Sequence, residues 1–247
     1  MKVADGVEML DLKMSSGVHE TSMHPTLIWD DKNVILVDAG LPGNCIQIRK
    51  KIEDSNVLFD KLNMIIITHQ DLDHIGSISD ILKASPHKIQ VLAHKEEKPY
   101  IQGDKKLDKM SPEQKKQLNK RLESMPEKQR EQMKALFQPQ NIQVDKTVKD
   151  GEELPYCGGI IIIHTGGHTP GHICLYLIEK KTLIAGDIMN IIDGELVGPN
   201  PQHTMDRDTA KRSLKKFTKY DIENVITYHG GLYNKNANQR IVELTKE

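Results

Sequence analysis

Short β-branched apolar runs that alternate with stretches of helical period predict a mixed fold, α/β or α+β, and rule out the all-helical and all-β classes. Residues 33–38 (NVILVD) and 63–68 (NMIIIT) form the first two runs, each too short for a helix and apolar enough for a strand covered on both faces. After His74 the period changes: Ile75, Ile78, Ile81 and Leu82 share one helical face, and the helix is expected to stop before Pro86. A third strand is predicted over residues 89–93.

Between about residues 95 and 139 the chain turns charged and rich in Gln and Met. Ser111 before Pro112 and Glu113 reads as a helix start, and Pro126 as a break between two helices. This is expected to be a helical insertion, either a solvated pair or a cap or dimerisation element in which Leu118, Leu122, Met125, Met133, Leu136 and Phe137 find a partner. Strand signals return at residues 160–163 (four isoleucines), 173–178, 182–185 and 222–227, with helices expected over 206–219 and from residue 234. Without a repeat or a Gly/Ser linker, residues 1–247 are expected to form a single domain carrying the 95–139 insertion.

Composition narrows the function. With 34 basic against 35 acidic side chains, the chain has no cationic surplus for displacing counterions from phosphates, so no nucleic-acid partner is expected. Three unpatterned cysteines in 247 residues give neither a disulfide framework nor a Cys-type zinc ribbon. The first residues, MKVADGVEMLDLKMSS, hold no apolar leader, and no stretch approaches the roughly 20 apolar residues of a membrane span. A cytoplasmic location, no membrane partner and a small-molecule substrate are the resulting expectations, with a homodimer through the insertion as a further one. Eleven histidines are left to explain.

Their placement is the informative feature. Directly after the NMIIIT run stand His69, Asp71, Asp73 and His74; later come His168 in HTGGHTPGH, Asp187 in LIAGDIM and His229 in ITYHGG, each at or just beyond the end of an apolar run and beside glycine. A lone histidine is usually just a hydrogen-bonded core or surface group. A dense cluster followed by three more donors at strand ends has the N/O chemistry of adjacent sites for Zn, Fe or Mn. If residues 69–74 are extended, 69, 71 and 73 face one side and 74 the other, dividing the cluster between two cations.

These residues resemble the metallo-β-lactamase superfamily of metal-dependent hydrolases, in the branch of the lactonases and glyoxalase II. Its T-H-x-H-x-D-H block is matched by Thr68, His69, Asp73 and His74, its H-T-P-G-H by residues 168–172, its strand-end G-D by Gly186 and Asp187, and its late histidine by His229. Residues 37–40 (VDAG) resemble the turn whose Asp supports the metal loop. The resemblance implies a four-layer αβ/βα sandwich of α+β class. It also implies two divalent metal ions, Zn first and Fe or Mn as alternatives. His69, Asp71 and His168 would hold one ion, Asp73, His74 and His229 the other, and Asp187 would bridge them. Asp73 and Asp187 would be the catalytic residues about a metal-bridging hydroxide that attacks an ester, lactone or thioester carbonyl. His164 and His172 are expected to stay outside the ligand set, His24 and His203 to lie in loops that reach the pocket, and Asn190 or Tyr228 to offer a hydrogen bond to substrate.

The departure from the family is Asp71, which stands at the second histidine of its block. Two divalent ions, Asp73, Asp187 and a hydroxide sum to a formal +1, and Asp71 brings the centre to zero, which disfavours anionic substrates and tilts metal preference toward Fe or Mn, or leaves a weak first site and a single metal. Two other readings stand beside the hydrolase: a mononuclear iron persulfide dioxygenase using His69, His168 and Asp187, and a non-catalytic metal- or partner-binding protein.

Overall fold

The apolar runs pair at the centres of two sheets, and where they end decides where the polar donors collect. The computed structural model of the chain describes residues 1–16, 19–106, 109, 112–127, 130–131 and 142–246. Its strands are β1 (Lys2–Ala4), β2 (Val7–Met9), β3 (Leu12–Ser16), β4 (His19–Met23), β5 (Thr26–Trp29), β6 (Val34–Val37), β7 (Met64–Ile67), β8 (Gln90–His94) and β9 (Lys146–Val148). They continue with β10 (Glu153–Leu154), β11 (Ile160–His164), β12 (Ile173–Leu177), β13 (Thr182–Gly186), β14 (Asn190–Ile192), β15 (Glu195–Val197), β16 (Asn224–Thr227) and β17 (Gly231–Tyr233). Among the described residues a seven-stranded sheet runs β1-β2-β5-β6-β7-β8-β9 and a six-stranded sheet β10-β11-β12-β13-β16-β17. Both are mixed: β6 to β9 pair in parallel, as do β13 and β16, and the rest are antiparallel.

Alternation within the central runs builds the layers. Met64 and Ile66 face the second sheet and join Val37, Ile162, Leu175 and Ile226 in a core between the sheets. Ile65 and Ile67 face outward and pack with Ile48, Ile52, Ile78 and Ile81 from the helices Cys45–Asp54 and Ile78–Ala84. On the far side Ile163, Cys174 and Val225 meet Ala210, Leu214 and Ile241 of the helices Arg207–Leu214 and Ala237–Leu244. Helix, sheet, sheet and helix thus stack as the four expected layers, each sheet apolar on both faces.

Two local expectations change. The helix expected after His74 is broken into Leu72–Ile75 and Ile78–Ala84, with Gly76 and Ser77 between them. The helix expected over 206–219 is α-helical only through Leu214 and tightens to a 3₁₀ turn at Lys215–Lys219. In the insertion, Pro112–Glu123 is helical and Leu118, Leu122 and Met125 are half-buried. Ser111, Met133, Leu136 and Phe137 lie outside the described residues. The three cysteines are free, and burial pushes the thiols of Cys157 and Cys174 up to about 12.

Gly76 marks where the cluster turn meets the sheet. Its N–H donates to the Gly40 carbonyl at 2.9 Å, and a methyl group there would land on the Pro42 ring and backbone nitrogen. Gly76→Ala is therefore expected to cost about 1–3 kcal/mol, since the obstacle is backbone that cannot rotate away. A thermal melt should fall by several degrees, at roughly 2–4 °C per kcal/mol for a chain of this size.

Candidate metal centre

The seven sequence-predicted donors meet at one edge of the two sheets, where β7, β13 and β16 end. Thr68 and His69 follow β7, Asp187 follows β13, His229 lies two residues beyond β16, and His168 comes from the loop after β11. Apolar side chains fill the strands up to their last residue, so the chain's polar groups gather in the connections beyond it. The segment from 69 to 74 is not extended throughout: Asp71 is, but Leu72–Ile75 form one helical turn. From that turn Asp73 reaches His229 and His74, while Asp71 reaches His69 and His168; the His69 and His74 rings stay in contact, with centroids 3.9 Å apart.

Two groups result. In the first, Asp71 Oδ2 lies 3.4 Å from His69 Nε2 and 3.2 Å from His168 Nε2. In the second, Asp73 Oδ2 lies 3.2 Å from His229 Nε2 and 3.8 Å from His74 Nε2. Asp187 stands between them, with Oδ1 at 3.3 Å from His74 Nε2 and Oδ2 at 3.5 Å from His168, 3.4 Å from His229 and 4.0 Å from His69.

A buried network aims these rings. Asp38, at a left-handed φ of +60°, accepts from Thr68 N at 2.8 Å, Thr68 Oγ1 at 2.7 Å and His74 Nδ1 at 2.8 Å. Because the Thr68 hydroxyl donates to Asp38, it accepts from His69 Nδ1 at 3.0 Å. These bonds assign a proton to Nδ1 of both rings, so Nε2 is the atom each neutral ring would offer to a cation. Both Nε2 atoms, with Asp187 Oδ1, are buried and without a hydrogen-bond partner among the described residues, which fits a cation-binding site. His172, expected outside the ligand set, accepts from Asp187 N through Nε2 at 3.1 Å and pairs with Thr165 Oγ1 at 2.8 Å, so it seats the shared carboxylate from behind.

Electrostatics follow from crowding. Burial drives the His69 pKa down to about 4, and the charge of His74 adds to this. Burial also opposes charge on His74, but Asp187, Asp38 and Asp73 carry it well above the ordinary range; His229, likewise opposed by burial, is raised to about 9 by Asp187 and Asp73. For Asp71 the desolvation cost is outweighed by His69, His168 and Lys109, which hold it well below the usual carboxylate range.

The centre opens into a cavity of about 390 Å³ that Asn190 and His203 also line. Tyr228 does not face it. Its hydroxyl donates to the Asp73 carbonyl at 2.5 Å and accepts from Gly40 N at 3.1 Å, because the ring lies stacked on His74 behind the ligands. His24 is also turned away, its Nδ1 bonded to the Tyr228 carbonyl at 2.9 Å. His164 lies away from the seven donors, beside His94 and Glu96, with the two rings stacked at 4.3 Å and 8°.

Two participants carried no sequence signal. Glu97 is fully buried and its carboxylate accepts from Gln70 N at 2.9 Å and Gly171 N at 2.7 Å, bracing the first ligand loop against the His168 loop. Lys109, from the insertion, donates to Asp71 Oδ2 at 2.5 Å and His168 Nε2 at 3.0 Å. A glutamate among charged neighbours and one lysine among 34 basic residues look like solvated surface in a sequence.

Comparison with known proteins now identifies the architecture. Residues 24–229 match the family model described as the metallo-beta-lactamase superfamily. The chain belongs to that superfamily. It is 30% identical over 226 residues to "Probable metallo-hydrolase YflN" of Bacillus subtilis, a match covering 85% of this chain and 80% of the relative. It is 29% identical over 170 residues to "Hydroxyacylglutathione hydrolase GloC" of Haemophilus influenzae, covering 66% of this chain and 65% of that protein. In fold it is similar to the metallo-beta-lactamase family protein TTHA1429 of Thermus thermophilus, with a TM-score of 0.71 at 21% identity over 99% of this chain and 80% of the other. No helix among the described residues is long and apolar enough to cross a membrane.

Metal uptake requires neutral imidazoles, whereas His74 and His229 carry raised pKa values in the metal-free protein. Loading at pH 7 is therefore expected to release about two protons, and the release should fall by about one as pH passes about 9, where His229 loses its proton without metal. Calorimetric titration in buffers of different ionisation enthalpy measures it. Glu97→Ala leaves two loop N–H groups unpaired and should weaken metal binding about 10–100-fold in a chelator competition while the circular dichroism spectrum stays folded.

Proposed function

We propose that this chain is a metal-dependent hydrolase of small molecules carrying an ester, lactone or thioester bond. The single observation that carries the reading is Asp187, one mostly covered carboxylate within 4.0 Å of four imidazole nitrogens drawn from both groups. That arrangement suits a ligand shared by two cations, with His69, Asp71 and His168 on one side and Asp73, His74 and His229 on the other. Zn is the first choice for the metal, with Fe or Mn as alternatives, because the donors are imidazole and carboxylate without thiolate.

Cations bound there supply Lewis acidity toward a carbonyl and a nucleophile made from water at neutral pH. The protein's own contribution is to hold the donors rigidly. Asp38 fixes the His69 and His74 rings, His172 seats Asp187, and Glu97 ties the loops together, so little reorganisation is left for the reaction. Asn190 and His203 line the cavity and are placed to meet the polar part of a substrate. A volume of about 390 Å³ suits a metabolite-sized molecule. The relatives described as hydrolases support bond hydrolysis as the class of reaction. Asp71 in place of a neutral ring lowers the charge of the centre and favours uncharged carbonyl substrates over phosphodiesters.

The test is a screen of metal-loaded protein on lactones, thioesters, phosphodiesters and β-lactams. Turnover of a lactone or thioester is expected, lost on chelation and restored by Zn or Mn. Asp187→Ala should lower it by at least about 100-fold, beyond what residues that only orient a ligand usually cost. Asp71→His should move metal preference toward Zn and raise phosphodiester turnover relative to ester turnover. Oxygen consumption with a persulfide would replace the hydrolase by the iron dioxygenase reading. An Asp187→Ala variant of full activity would refute the site.

A further inference from the structure

The two donor groups are alike in composition but not in surroundings. Among the described residues, Asp73, His229 and His74 contact one another, Asp38, Asp187, the Thr68 hydroxyl and backbone, and no lysine or arginine. In the first group Asp71 has both oxygens committed: Oδ1 accepts from Gln70 Nε2 at 2.8 Å, and Oδ2 accepts from Lys109 Nζ at 2.5 Å. The same ammonium donates to His168 Nε2 at 3.0 Å. Lys109 and Asp71 are both mostly covered, with side-chain exposures of 19% and 22%, so this is a largely desolvated pair and not a surface bridge.

The atoms engaged are the decisive point. Asp71 Oδ2 and His168 Nε2 are the atoms through which the first group would hold a cation, at about 2.1 Å each. An ammonium at 2.5 and 3.0 Å from them takes the same lone pairs, and a metal ion so close to it would meet direct charge repulsion. The replacement of a neutral imidazole by a carboxylate at position 71 is what makes a lysine partner favourable, since a histidine there would offer no countercharge.

Building on the hydrolase reading, we propose that Lys109 is the alternate occupant of the first cage. Its ammonium and a metal ion exclude one another, Asp71 and Lys109 act as a matched pair, and the cage of Asp73, His74, His229 and Asp187 fills first. Loading of the first cage then requires the Lys109 ammonium to leave Asp71 and His168.

The experiment titrates full-length, metal-free protein with Zn²⁺ against a chromophoric chelator, with bound metal counted by elemental analysis. In the wild type a second ion is expected to bind at least tenfold more weakly than the first. Lys109→Met, matched in length and uncharged, should tighten the second ion by tenfold or more and leave the first within twofold, and Lys109→Gln should do the same. Lys109→Arg should keep the second ion weak. Equal second-ion affinity in wild type and both neutral variants overturns the proposal while leaving the hydrolase reading intact. Failure of every form to bind Zn²⁺ overturns both, and a folded circular dichroism spectrum for each variant excludes misfolding as the cause.

Discussion

A single buried carboxylate supports the rest of the site. Asp38 closes β6 in a left-handed turn and takes three hydrogen bonds, two from Thr68 and one from the His74 ring. Those bonds join the end of β6 to the loop after β7 and orient two of the four clustered imidazoles. Bonds to a charged acceptor contribute about 1.5–3 kcal/mol each, and with one partner removed the other is left buried and unpaired. Asp38 is 1% exposed, so water does not compete for it. Tyr228 completes the arrangement from behind, stacked on His74 and tied to Gly40 and the Asp73 carbonyl.

The same device recurs around the centre. His172 seats Asp187 from the second sheet, and Glu97 joins the Gln70 and Gly171 amides across the gap between the sheets. Each brace uses a buried polar side chain against backbone N–H or a ring nitrogen, which fixes direction as well as distance. The two sheets are held by an apolar core that is indifferent to direction, so these polar braces set the mutual orientation of the ligands.

Charge then distinguishes the two halves. Four imidazoles and three carboxylates in one small volume satisfy each other only in part, as the bare Nε2 atoms of His69 and His74 show. The half containing Asp71 is met by a lysine from the insertion, and the half containing Asp73 by no lysine or arginine among the described residues. Through Lys109 the insertion therefore touches the site.

Much of this was legible in the sequence. The consecutive isoleucines at 65–67 and 160–163 read as strands covered on both faces, because short β-branched apolar runs pack well between two layers. The seven donors were legible because strand ends deliver their following residues to one edge. The three- to five-residue strands from Lys2 to Met23 were not predicted, since so short a run carries no periodicity. By itself, the sequence determined a mixed fold of strands and helices, through hydrophobic period, and the donor types gathered at the strand ends, through local chain direction; the four layers were implied by the resemblance to the superfamily. Only the tertiary structure decided that residues 72–75 coil, that Tyr228 and His24 turn away from the pocket, and that Glu97 and Lys109 join the centre. Each of these depends on contacts between residues distant in the chain, where a charged side chain looks the same whether it ends in water or in a cage of ligands.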